Sequence, residues 1–391
     1  MNKVQKKKKL HPFIPLNTSL RKKVADTFRV WFSRKRISER LIQGGSFQIK
    51  SLAEVYHDML HIIWRYEIPM KYFFNEYFEE RIHLKEHELE QFTTWSEWLR
   101  LSSILERENE ELSIILNDKN LSWQYFRERG IAVTKRIGSS WRTGEGSVIC
   151  RRYDGKTLRL EELLSLYEGV FVKPANLCEG QGCTKILPAD KPEGCLANGV
   201  FHKWDSLDFF PCKQSEAFII EKLVISHPSL EAFHPQSLNT LRLVTMRTPN
   251  GGLEISQAFL KIGVGTATVD NWCAGGISVK VQSDGTLNDV GVFKSLDKEK
   301  CFKHPDSGIV FAGFEVPFYR EAVELVLRAH SCCPHMFGIG WDVAITADGP
   351  LIVESNVQYA ISQPICGGLR PVMDCWLRPV AFAAMNRHPH P

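Results

Sequence analysis

Two apolar segments near the C-terminal end constrain the fold of this chain most, because together they predict a β-hairpin. The segments are residues 338–346 (GIGWDVAIT) and residues 351–357 (LIVESNV). Both are rich in β-branched residues, and the Asp348–Gly349 pair between them is a strong turn signal. We therefore expect two antiparallel strands at this point of the chain.

The predicted hairpin brings three oxygen-bearing side chains together. Glu354 and Asn356 are two residues apart and share one face of their strand, and the turn folds Asp342 back roughly opposite them. Two carboxylates and an amide oxygen are suitable ligands for a hard divalent cation such as Mg²⁺. A half-exposed hairpin with acidic residues on its solvent-exposed face would show the same pattern. A metal site and an ordinary surface hairpin therefore both remain possible interpretations at this point.

Length and cysteine usage indicate the class of protein. A chain of 391 residues is long enough for two or three domains or for one large composite fold. No apolar run approaches the roughly 20 residues that span a bilayer, and the N-terminus lacks the apolar core of a secretory signal. The 11 cysteines are scattered without a CxxC pair, which favours a reducing compartment over disulfides or a zinc site. We expect a cytoplasmic protein.

Basic residues are concentrated in residues 1–36, where aromatic residues separate the clusters of Lys and Arg. A solvated tail leading into a surface helix is the favoured interpretation. The alternative is peripheral contact with an anionic surface, either lipid on the inner face of the membrane or an acidic polymer. Nucleic-acid binding is not expected, because the remaining chain offers no basic footprint.

The sequence pattern divides the chain into four parts. Residues 1–45 are a basic lead, helical or partly disordered, and residues 46–115 have helical periodicity with aromatic residues at core spacing. Residues 116–375 contain short β-like runs separated by Gly, Pro, Asn and Asp, which indicates a mainly antiparallel sheet, with one clear helix over Tyr319–Ala329. Residues 376–391 form a C-terminal tail.

A glycine-containing loop follows the run VFVKPA. Lys173 ends a predicted buried strand, and Gly180 and Gly182 turn the chain into the next strand. Glycines allow backbone N–H groups to approach phosphate oxygens, and Lys adds a compact cation. The loop matches neither a Walker A nor a GxGxxG motif. An ordinary glycine-turned hairpin with an exposed Lys remains the alternative.

Three further segments carry polar residues next to apolar strands. The run AFIIEKLV can offer backbone groups to an adenine edge while apolar side chains enclose the base. A strand with Asn239 and Arg242 offers a guanidinium fork for phosphate or carboxylate. Lys261 follows on the next strand, and Asp270 and Asn271 lie in a glycine-rich loop.

In this order, these motifs resemble the ATP-grasp superfamily, and the strings LNTLRLVT, DNWCAGGISV and GWDVAIT are similar to its sugar-transfer-associated proteins. The resemblance spans roughly residues 115–370. It implies an α+β fold, with two α+β lobes clasping ATP and a helical N-terminal extension. It also implies ATP and one or two Mg²⁺ ions, with Mn²⁺ as the alternative metal.

The resemblance further implies roles for individual residues. ATP would be bound by Lys119, Lys173, Gly180, Gly182, Glu221, Lys222, Leu223, Val224 and Glu231. The metal ligands would be Asp342, Glu354 and Asn356, and the catalytic residues would be Arg242, Lys261 and Asn271.

The chain departs from the family pattern in three ways. Related D-alanine–D-alanine ligases have an Arg two residues before the first metal Asp, where this chain has Gly340, so Arg242 or Lys261 would supply that charge. The acid that holds the ribose is not fixed by spacing; Glu231 and Ser229 are both candidates. The small parallel α/β unit expected at the N-terminus is not readable in residues 1–110.

The resemblance implies a carboxylate–amine ligase that acts through an acylphosphate, on a sugar or an amino acid used for cell-surface polysaccharide. Its partners would be small carboxylate and amine substrates, with glycosyltransferase machinery as a further candidate. Two alternatives stay open. One is a kinase that phosphorylates a sugar hydroxyl, and the other is a non-catalytic ATP-binding scaffold of a polysaccharide-assembly complex.

Overall fold

The computed structural model describes residues 109–174, 182–210, 218–248, 250–293 and 301–357, together with isolated positions between 24 and 64. Apart from Ser51, these isolated positions are helical. Most of the helical region predicted for residues 46–115, and most of the basic lead, lie outside the described residues. No helix in the described part of the chain is long and apolar enough to cross a membrane.

Five α-helices and 14 strands follow one another in the described part of the chain from residue 109 onward. The helices are α1 (Glu110–Asn117), α2 (Lys119–Glu128), α3 (Leu160–Leu166), α4 (Pro228–Glu231) and α5 (Tyr319–Ser331). The first eight strands are β1 (Arg136–Arg142), β2 (Val148–Arg152), β3 (Thr157–Arg159), β4 (Val170–Pro174), β5 (Thr184–Pro188), β6 (Gly194–Ala197), β7 (Val200–Lys203) and β8 (Phe218–Lys222). The remaining strands are β9 (Thr240–Arg247), β10 (Leu253–Ile262), β11 (Ile277–Val281), β12 (Leu287–Phe293), β13 (Gly338–Thr346) and β14 (Gly349–Asn356).

The strands form two sheets. The eight-stranded sheet has the order β3-β2-β1-β8-β4-β5-β6-β7, and the six-stranded sheet has the order β12-β11-β10-β9-β13-β14. Every neighbouring strand pair in both sheets is antiparallel within the residues that the structure describes. This confirms the mainly antiparallel character that the punctuated sequence predicts.

Each sheet has its own hydrophobic core. Helix α3 packs on the eight-stranded sheet, where Leu163, Val172 and Ile220 are fully buried. Helices α1, α2 and α5 pack on the six-stranded sheet around Trp341, which is also fully buried. The 3.6-residue period of apolar positions in α5 supplies its buried face, and the helix extends two residues beyond the predicted Ala329.

The segment between α2 and β1 joins the two sheets. Ile352 on β14 exchanges backbone hydrogen bonds with Ala132 (2.9 Å) and Thr134 (3.2 Å). One residue later, the backbone N–H of Lys222 on β8 donates to the Lys135 carbonyl at 2.8 Å. The same short segment is therefore bonded to a strand of each sheet, and this fixes the opening between them.

Candidate functional site

A cavity of about 190 Å³ lies between the two sheets. Strands β4, β5 and β8 contribute to one wall, and β9, β10 and the β13–β14 hairpin contribute to the other. Most of the residues predicted from the sequence line this cavity: Lys119, Lys173, Glu221, Lys222, Leu223, Val224, Glu231, Lys261, Asn271, Asp342 and Glu354. Residues up to 235 positions apart in sequence therefore share one cavity.

Four predicted residues do not appear in the cavity wall. Gly180 lies outside the described residues. Gly182 begins the described chain after the loop, with a left-handed φ of 71° that suits glycine. Arg242 and Asn356 are on strands of the six-stranded sheet, but their side chains are not part of the lining.

The predicted hairpin is present, with β13 and β14 joined by a turn at Ala347 and Asp348, and Gly349 is the first residue of β14. Asp342 is the direct partner of Glu354 in the strand register, and Gly340 is the partner of Asn356. A register shift follows Asp342, so the hairpin is irregular at the position of the two carboxylates. The two acidic side chains therefore reach the cavity from adjacent positions.

Lys119 reaches the hairpin from the start of α2. The Asp118 side chain accepts the backbone N–H groups of Asn120 (2.7 Å) and Leu121 (2.9 Å), which caps the helix. This cap fixes the position of Lys119, whose Nζ lies 3.7 Å from Glu354 Oε1. The side chain is therefore held in the cavity beside a carboxylate.

Asp342 is held by two cations from neighbouring strands. Arg242 faces Asp342 across the β9–β13 ladder and donates to it through Nε (2.6 Å) and Nη2 (3.0 Å). Lys261 Nζ lies 3.0 Å from Asp342 Oδ1. Burial alone would raise the pKa of Asp342, but Arg242 and Lys261 hold the pKa well below its usual range. The carboxylate is therefore ionised.

Asp270 lies on the other side of Lys261, with its Oδ1 3.8 Å from Nζ. The backbone N–H of Thr240 donates to Asp270 Oδ2 at 2.8 Å, and the Thr240 hydroxyl donates to the same oxygen. Burial raises the pKa of Asp270, and the neighbouring Asp342 charge adds to this effect. Lys261 and Thr240 offset only part of the increase.

Glu221 and Lys173 form a buried ion pair on the wall of the cavity that the eight-stranded sheet provides. Lys173 Nζ lies 2.9 Å from Glu221 Oε1, and the same oxygen accepts from Thr134 (2.8 Å) and Arg136 (3.2 Å). Burial opposes the charge on Glu221, but Lys173 and Arg136 nevertheless lower its pKa. The Glu221 side chain thus orients Lys173, a role that the sequence alone does not indicate.

The segment that follows β8 gives the cavity an apolar side. Leu223, Val224 and Ile225 line it together with Phe171 and Leu238. Ile225 is 60% exposed, which is unusual for an Ile beside a core strand. An apolar wall that remains open to solvent suits a planar base.

The two candidates for ribose contact differ in position. Glu231, at the end of α4, lines the cavity. Ser229 instead lies 2.9 Å from His227 Nδ1 within the N-terminal cap of α4, and it is not part of the lining. The geometry therefore favours Glu231.

Sequence patterns missed several residues of the wall, including Thr134, Ser237, Thr240 and Thr268. Each is a small hydroxyl residue in or beside a strand, a type too common to predict a site by itself. The run Ser237-Leu-Asn239-Thr240-Leu-Arg242 was the available signal, because polar residues recur in it at intervals of one or two up to Arg242. Asn239 was predicted on a strand, but β9 begins one residue later.

The donor set of the hairpin fits a hard cation. Asp342 and Glu354 line the same cavity with carboxylate oxygens, which are the ligands that Mg²⁺ takes. Within the described residues no group of three or more His, Cys, Asp or Glu is arranged for a metal ion. Among the same residues, Asn356 Nδ2 is buried without a hydrogen-bond partner.

Comparison with known families and structures gives one match that covers most of the chain. The model of the sugar-transfer associated ATP-grasp family matches residues 102–371. A comparison with curated proteins found no match.

Solved structures of similar fold are distant in sequence. N5-carboxyaminoimidazole ribonucleotide synthetase from Thermotoga maritima is 12% identical, with a TM-score of 0.33, over 63% of this chain and 43% of that chain. D-alanine–D-alanine ligase from Bacillus anthracis complexed with ATP is 16% identical, with a TM-score of 0.30, over 62% of this chain and 56% of that chain. Biotin carboxylase from Campylobacter jejuni is 8% identical, with a TM-score of 0.39, over 68% and 46%. The chain spans about half the length of the structures it matches.

Proposed function

Because the chain belongs to the sugar-transfer-associated ATP-grasp family and has its α+β fold, we propose that it is an ATP-dependent carboxylate–amine ligase. The substrate carboxylate would belong to a sugar or an amino acid used for cell-surface polysaccharide. The γ-phosphate of ATP would pass to this carboxylate, and an amine would then displace phosphate from the acylphosphate. The products would be an amide, ADP and phosphate.

The observation that carries this proposal is the position of Lys261. Its ammonium group lines the cavity between two carboxylates, 3.0 Å from Asp342 and 3.8 Å from Asp270. Anionic phosphate and carboxylate groups are stabilised by a fixed cation of this kind in a site shielded from water. Phosphoryl transfer depends mainly on such positioning and charge stabilisation.

Arg242 contacts the same end of the site from outside the cavity. Its guanidinium forms two hydrogen bonds with Asp342 and is not part of the cavity wall. We therefore assign Lys261 to the phosphate that is transferred and Arg242 to the orientation of Asp342. Asn271, in the loop that lines the cavity beside Asp270, is the third residue assigned to this end.

Other cavity residues would bind the nucleotide. Lys119, Lys173 and the Gly180–Gly182 loop would contact the phosphates, as compact cations and backbone N–H groups do. The adenine would lie along Glu221–Val224, with Glu231 near the ribose. The apolar, open segment after β8 supports this placement.

Asp342 and Glu354 would hold Mg²⁺, with Asn356 as the third ligand of the hairpin. When bound, the ion would neutralise charge on the β- and γ-phosphates. Asp342 is already ionised in the structure, because Arg242 and Lys261 hold its pKa low. It can therefore act as a ligand without first losing a proton.

One observation favours a second candidate, the sugar kinase. A kinase needs a general base near the transferred phosphate. Asp270 lines the cavity, and burial raises the pKa of its carboxyl group. Both Asp270 oxygens are engaged, however, by Thr240 and by the nearby Lys261. We therefore rank the kinase below the ligase.

Hydroxylamine trapping distinguishes the two candidates. The full-length protein is incubated with ATP, Mg²⁺, hydroxylamine and a panel of sugar acids and amino acids. A ligase gives hydroxamate in step with ADP, because hydroxylamine captures the acylphosphate. ADP with a stable phosphorylated sugar and no hydroxamate would identify the kinase. AMP as the product would exclude both.

A further inference from the structure

Arg136, the first residue of β1, has a buried guanidinium group to which the proposed function gives no role. Its side chain is 2% exposed, and an Arg side chain keeps its charge in proteins. A buried charge is costly unless it is paired and hydrogen-bonded within the protein. The partners of this guanidinium group therefore show which parts of the structure it connects.

All three guanidinium nitrogens of Arg136 have a partner. Nε donates to Glu221 Oε1 at 3.2 Å, on strand β8. Nη1 donates to Asn120 Oδ1 at 2.7 Å, and Nη2 donates to the backbone carbonyl of Lys119 at 2.6 Å. Lys119 and Asn120 are the first two residues of α2. One side chain therefore connects the eight-stranded sheet to the start of this helix.

Trp123 packs against the same guanidinium group. Its ring centroid is 5.1 Å from Arg136 Cζ, within the range of a cation–π contact. The ring is itself held by Nε1, which donates to the Thr134 carbonyl at 2.7 Å. The Thr134 hydroxyl donates to Glu221 Oε1 at 2.8 Å. The aromatic ring and the carboxylate that contact Arg136 are therefore bonded to the same residue, which restricts the position of the guanidinium group.

Each end of this connection leads to a lysine of the cavity. Glu221 Oε1, which accepts from Arg136, also lies 2.9 Å from Lys173 Nζ. The carbonyl that accepts from Arg136 Nη2 belongs to Lys119, whose side chain lines the same cavity. Arg136 is therefore linked to Lys119 directly and to Lys173 through one carboxylate.

The two lysines come from different parts of the fold. Lys173 is on β4, which pairs with β5 and β8 in the eight-stranded sheet. Lys119 is on α2, which packs on the six-stranded sheet. Within the described residues no strand ladder joins β4 to this helix. A strand register therefore does not set the distance between the two ammonium groups, and the contacts of Arg136 restrict it.

The guanidinium group itself lies outside the nucleotide cavity. Among the described residues that line the cavity between the sheets, Arg136 is absent. It lines a separate cavity of about 20 Å³ together with Lys119 and Glu354, and these two residues line both cavities. A space of this size holds about one water molecule and is too small for a nucleotide. Arg136 therefore acts on a bound nucleotide only through other residues.

The charge of Arg136 also affects what Lys173 can bind. Burial opposes the charge on Glu221, but Lys173 and Arg136 lower the pKa of this carboxyl group, which is therefore ionised. Two cations share this one carboxylate, so the group of three side chains has a surplus positive charge. Lys173 can then attract an anionic phosphate while it remains paired with Glu221.

We propose that Arg136 is a positioning residue that holds Lys119 and Lys173 at the spacing at which both contact one phosphate chain. This inference rests on the proposed function, because that function assigns the two lysines to the phosphates of ATP. A guanidinium group suits the role, since its donors form a rigid planar fork, whereas the ammonium group of a Lys is a single point charge on a flexible stem.

Binding of MgATP and of adenosine to the full chain, measured by isothermal titration calorimetry, tests this role. Arg136→Met has a similar length but no charge and no donor. Its affinity for MgATP should fall by about 10-fold or more, because the two lysines lose their common support. Its affinity for adenosine should stay unchanged, since adenosine has no phosphate. Equal weakening of both ligands would overturn the proposal, because Arg136 would then support the whole cavity.

Arg127→Met is the matched control. Arg127 also contacts the Trp123 ring, with its Cζ 4.6 Å from the centroid, but it is exposed on α2. This variant removes a cation from the same ring and keeps the contacts of Arg136 with Glu221 and Lys119. Its affinity for MgATP should be that of the wild type. A loss equal to that of Arg136→Met would overturn the proposal, since any cation beside the ring would then have the same effect.

Arg136→Lys separates the charge from the geometry, and it also serves if Arg136→Met does not fold. Lys keeps a cation beside Glu221, but one ammonium group cannot reproduce the fork that bonds Glu221, Asn120 and the Lys119 carbonyl together. MgATP should therefore bind more weakly than to the wild type, with circular dichroism confirming the fold. Wild-type affinity for MgATP would overturn the proposal, because the charge alone would then be sufficient.

A double-mutant cycle shows whether Arg136 acts through the lysines. Arg136→Lys is combined with Lys173→Met and, separately, with Lys119→Met. If Arg136 positions these ammonium groups, its replacement should cost less MgATP affinity where one of them is already absent. Losses that multiply without coupling would overturn the proposal, because Arg136 would then act independently of both lysines.

Hydroxylamine trapping separates this inference from the ligase. Uncoupled losses in a protein that forms hydroxamate would overturn the role of Arg136 and leave the ligase standing. Coupled losses in a protein that forms no hydroxamate would support the role of Arg136 and reject the ligase. If the wild type binds MgATP no more tightly than adenosine, the assignment of the lysines to the phosphates is wrong, and the role of Arg136 is rejected with it.

Discussion

At the residue scale, two buried carboxyl groups lie on either side of one lysine and have opposite electrostatic behaviour. Asp342 forms ion pairs with both Arg242 and Lys261 and has a lowered pKa, whereas Asp270 lies 3.8 Å from Lys261 and has a raised pKa. The difference follows from the geometry of Arg242, which forms two hydrogen bonds with Asp342 alone. The ionised form is thus stabilised at Asp342 and destabilised at Asp270.

Replacing Asp270 with Asn should raise stability at neutral pH. A carboxyl whose pKa is raised by folding stabilises the folded state below its unfolded pKa, and this contribution is lost as the pH rises through the folded value. The ionised Asp270 side chain therefore destabilises the folded state near pH 7. We expect the Asp270→Asn variant to melt about 1–3 °C above the wild type at pH 7. Thermal unfolding monitored by circular dichroism measures this.

The gap in melting temperature should close as the pH falls, because the raised pKa lets wild-type Asp270 take up its proton at a higher pH than an ordinary Asp does. Asp289→Asn, on the exposed face of β12, is the control and should show no such trend. If Asp270→Asn instead melts below the wild type at pH 7, this account is contradicted. That result would show that the Asp270–Lys261 ion pair stabilises the folded state.

Replacing Glu354 with Gln should remove most metal-dependent nucleotide turnover and leave the fold intact. Gln has the size of Glu but lacks the charge that attracts a hard cation, so Mg²⁺ affinity should fall by about 10- to 100-fold. The Glu354 side chain is 37% exposed, so its neutralisation should cost little stability. ATP turnover measured as a function of Mg²⁺ concentration gives the change in Mg²⁺ affinity.

Glu324→Gln, on the exposed face of α5, is the matched control for this change. Unchanged dependence on Mg²⁺ in Glu354→Gln would show that the hairpin carboxylate is not a ligand. If Glu354→Gln needs more Mg²⁺ for ATP turnover but has an unchanged melting temperature, the result supports Glu354 as a metal ligand.

At the element scale, the β1–β2 hairpin has one point where the two strands approach too closely for a side chain. A Cβ on Gly138 would lie 2.0 Å from the carbonyl oxygen of Arg151. The Gly138 position also follows a register shift between β1 and β8. Irregular pairing in the middle of the sheet therefore depends on this glycine.

We expect Gly138→Ala to destabilise the eight-stranded sheet by about 2–3 kcal/mol, because backbone atoms must move to relieve the contact. Hydrogen exchange should show the loss of protection in β1 and β2, while the six-stranded sheet, which has its own core, stays protected. Gly144→Ala, in the same hairpin, is the control, since nothing lies within 4 Å of its Cβ and its φ is not positive. Equal loss of protection in both sheets would show that they unfold together.

At the scale of the whole molecule, the site exists because two separately packed sheets face each other. Lys173 and Glu221 belong to one sheet, and Lys261, Asp342 and Glu354 belong to the other. The segment 132–135, bonded to β14 and β8, holds the two walls at a fixed spacing at one end. Binding between the sheets would therefore be sensitive to changes that alter their relative position.

The basic N-terminus, most of which lies outside the described residues, should be dispensable for ATP binding but should contribute to association with anionic surfaces. Removal of residues 1–36 should leave nucleotide affinity unchanged and reduce sedimentation with phosphatidylserine vesicles. The attraction should weaken as salt screens the charges. Neutral phosphatidylcholine vesicles are the control. If truncation leaves binding to the anionic vesicles unaltered, the segment is a solvated leader.

The sequence by itself determined the elements whose signals are local. The turn pair Asp348–Gly349 and the alternation around Glu354 predicted a hairpin that the structure contains. The order of motifs identified the family and the antiparallel α+β fold. The hairpin and the short strands depend on residues a few positions apart, where periodicity and turn chemistry determine the outcome.

Only the tertiary structure determined which cationic side chain pairs with which carboxylate. From the sequence, Arg242 and Lys261 were equal candidates for the phosphate, yet the β9–β13 register sets Arg242 against Asp342, 100 positions away. Long-range register and hydrogen-bond partners depend on packing between strands, and no local pattern in the sequence specifies them.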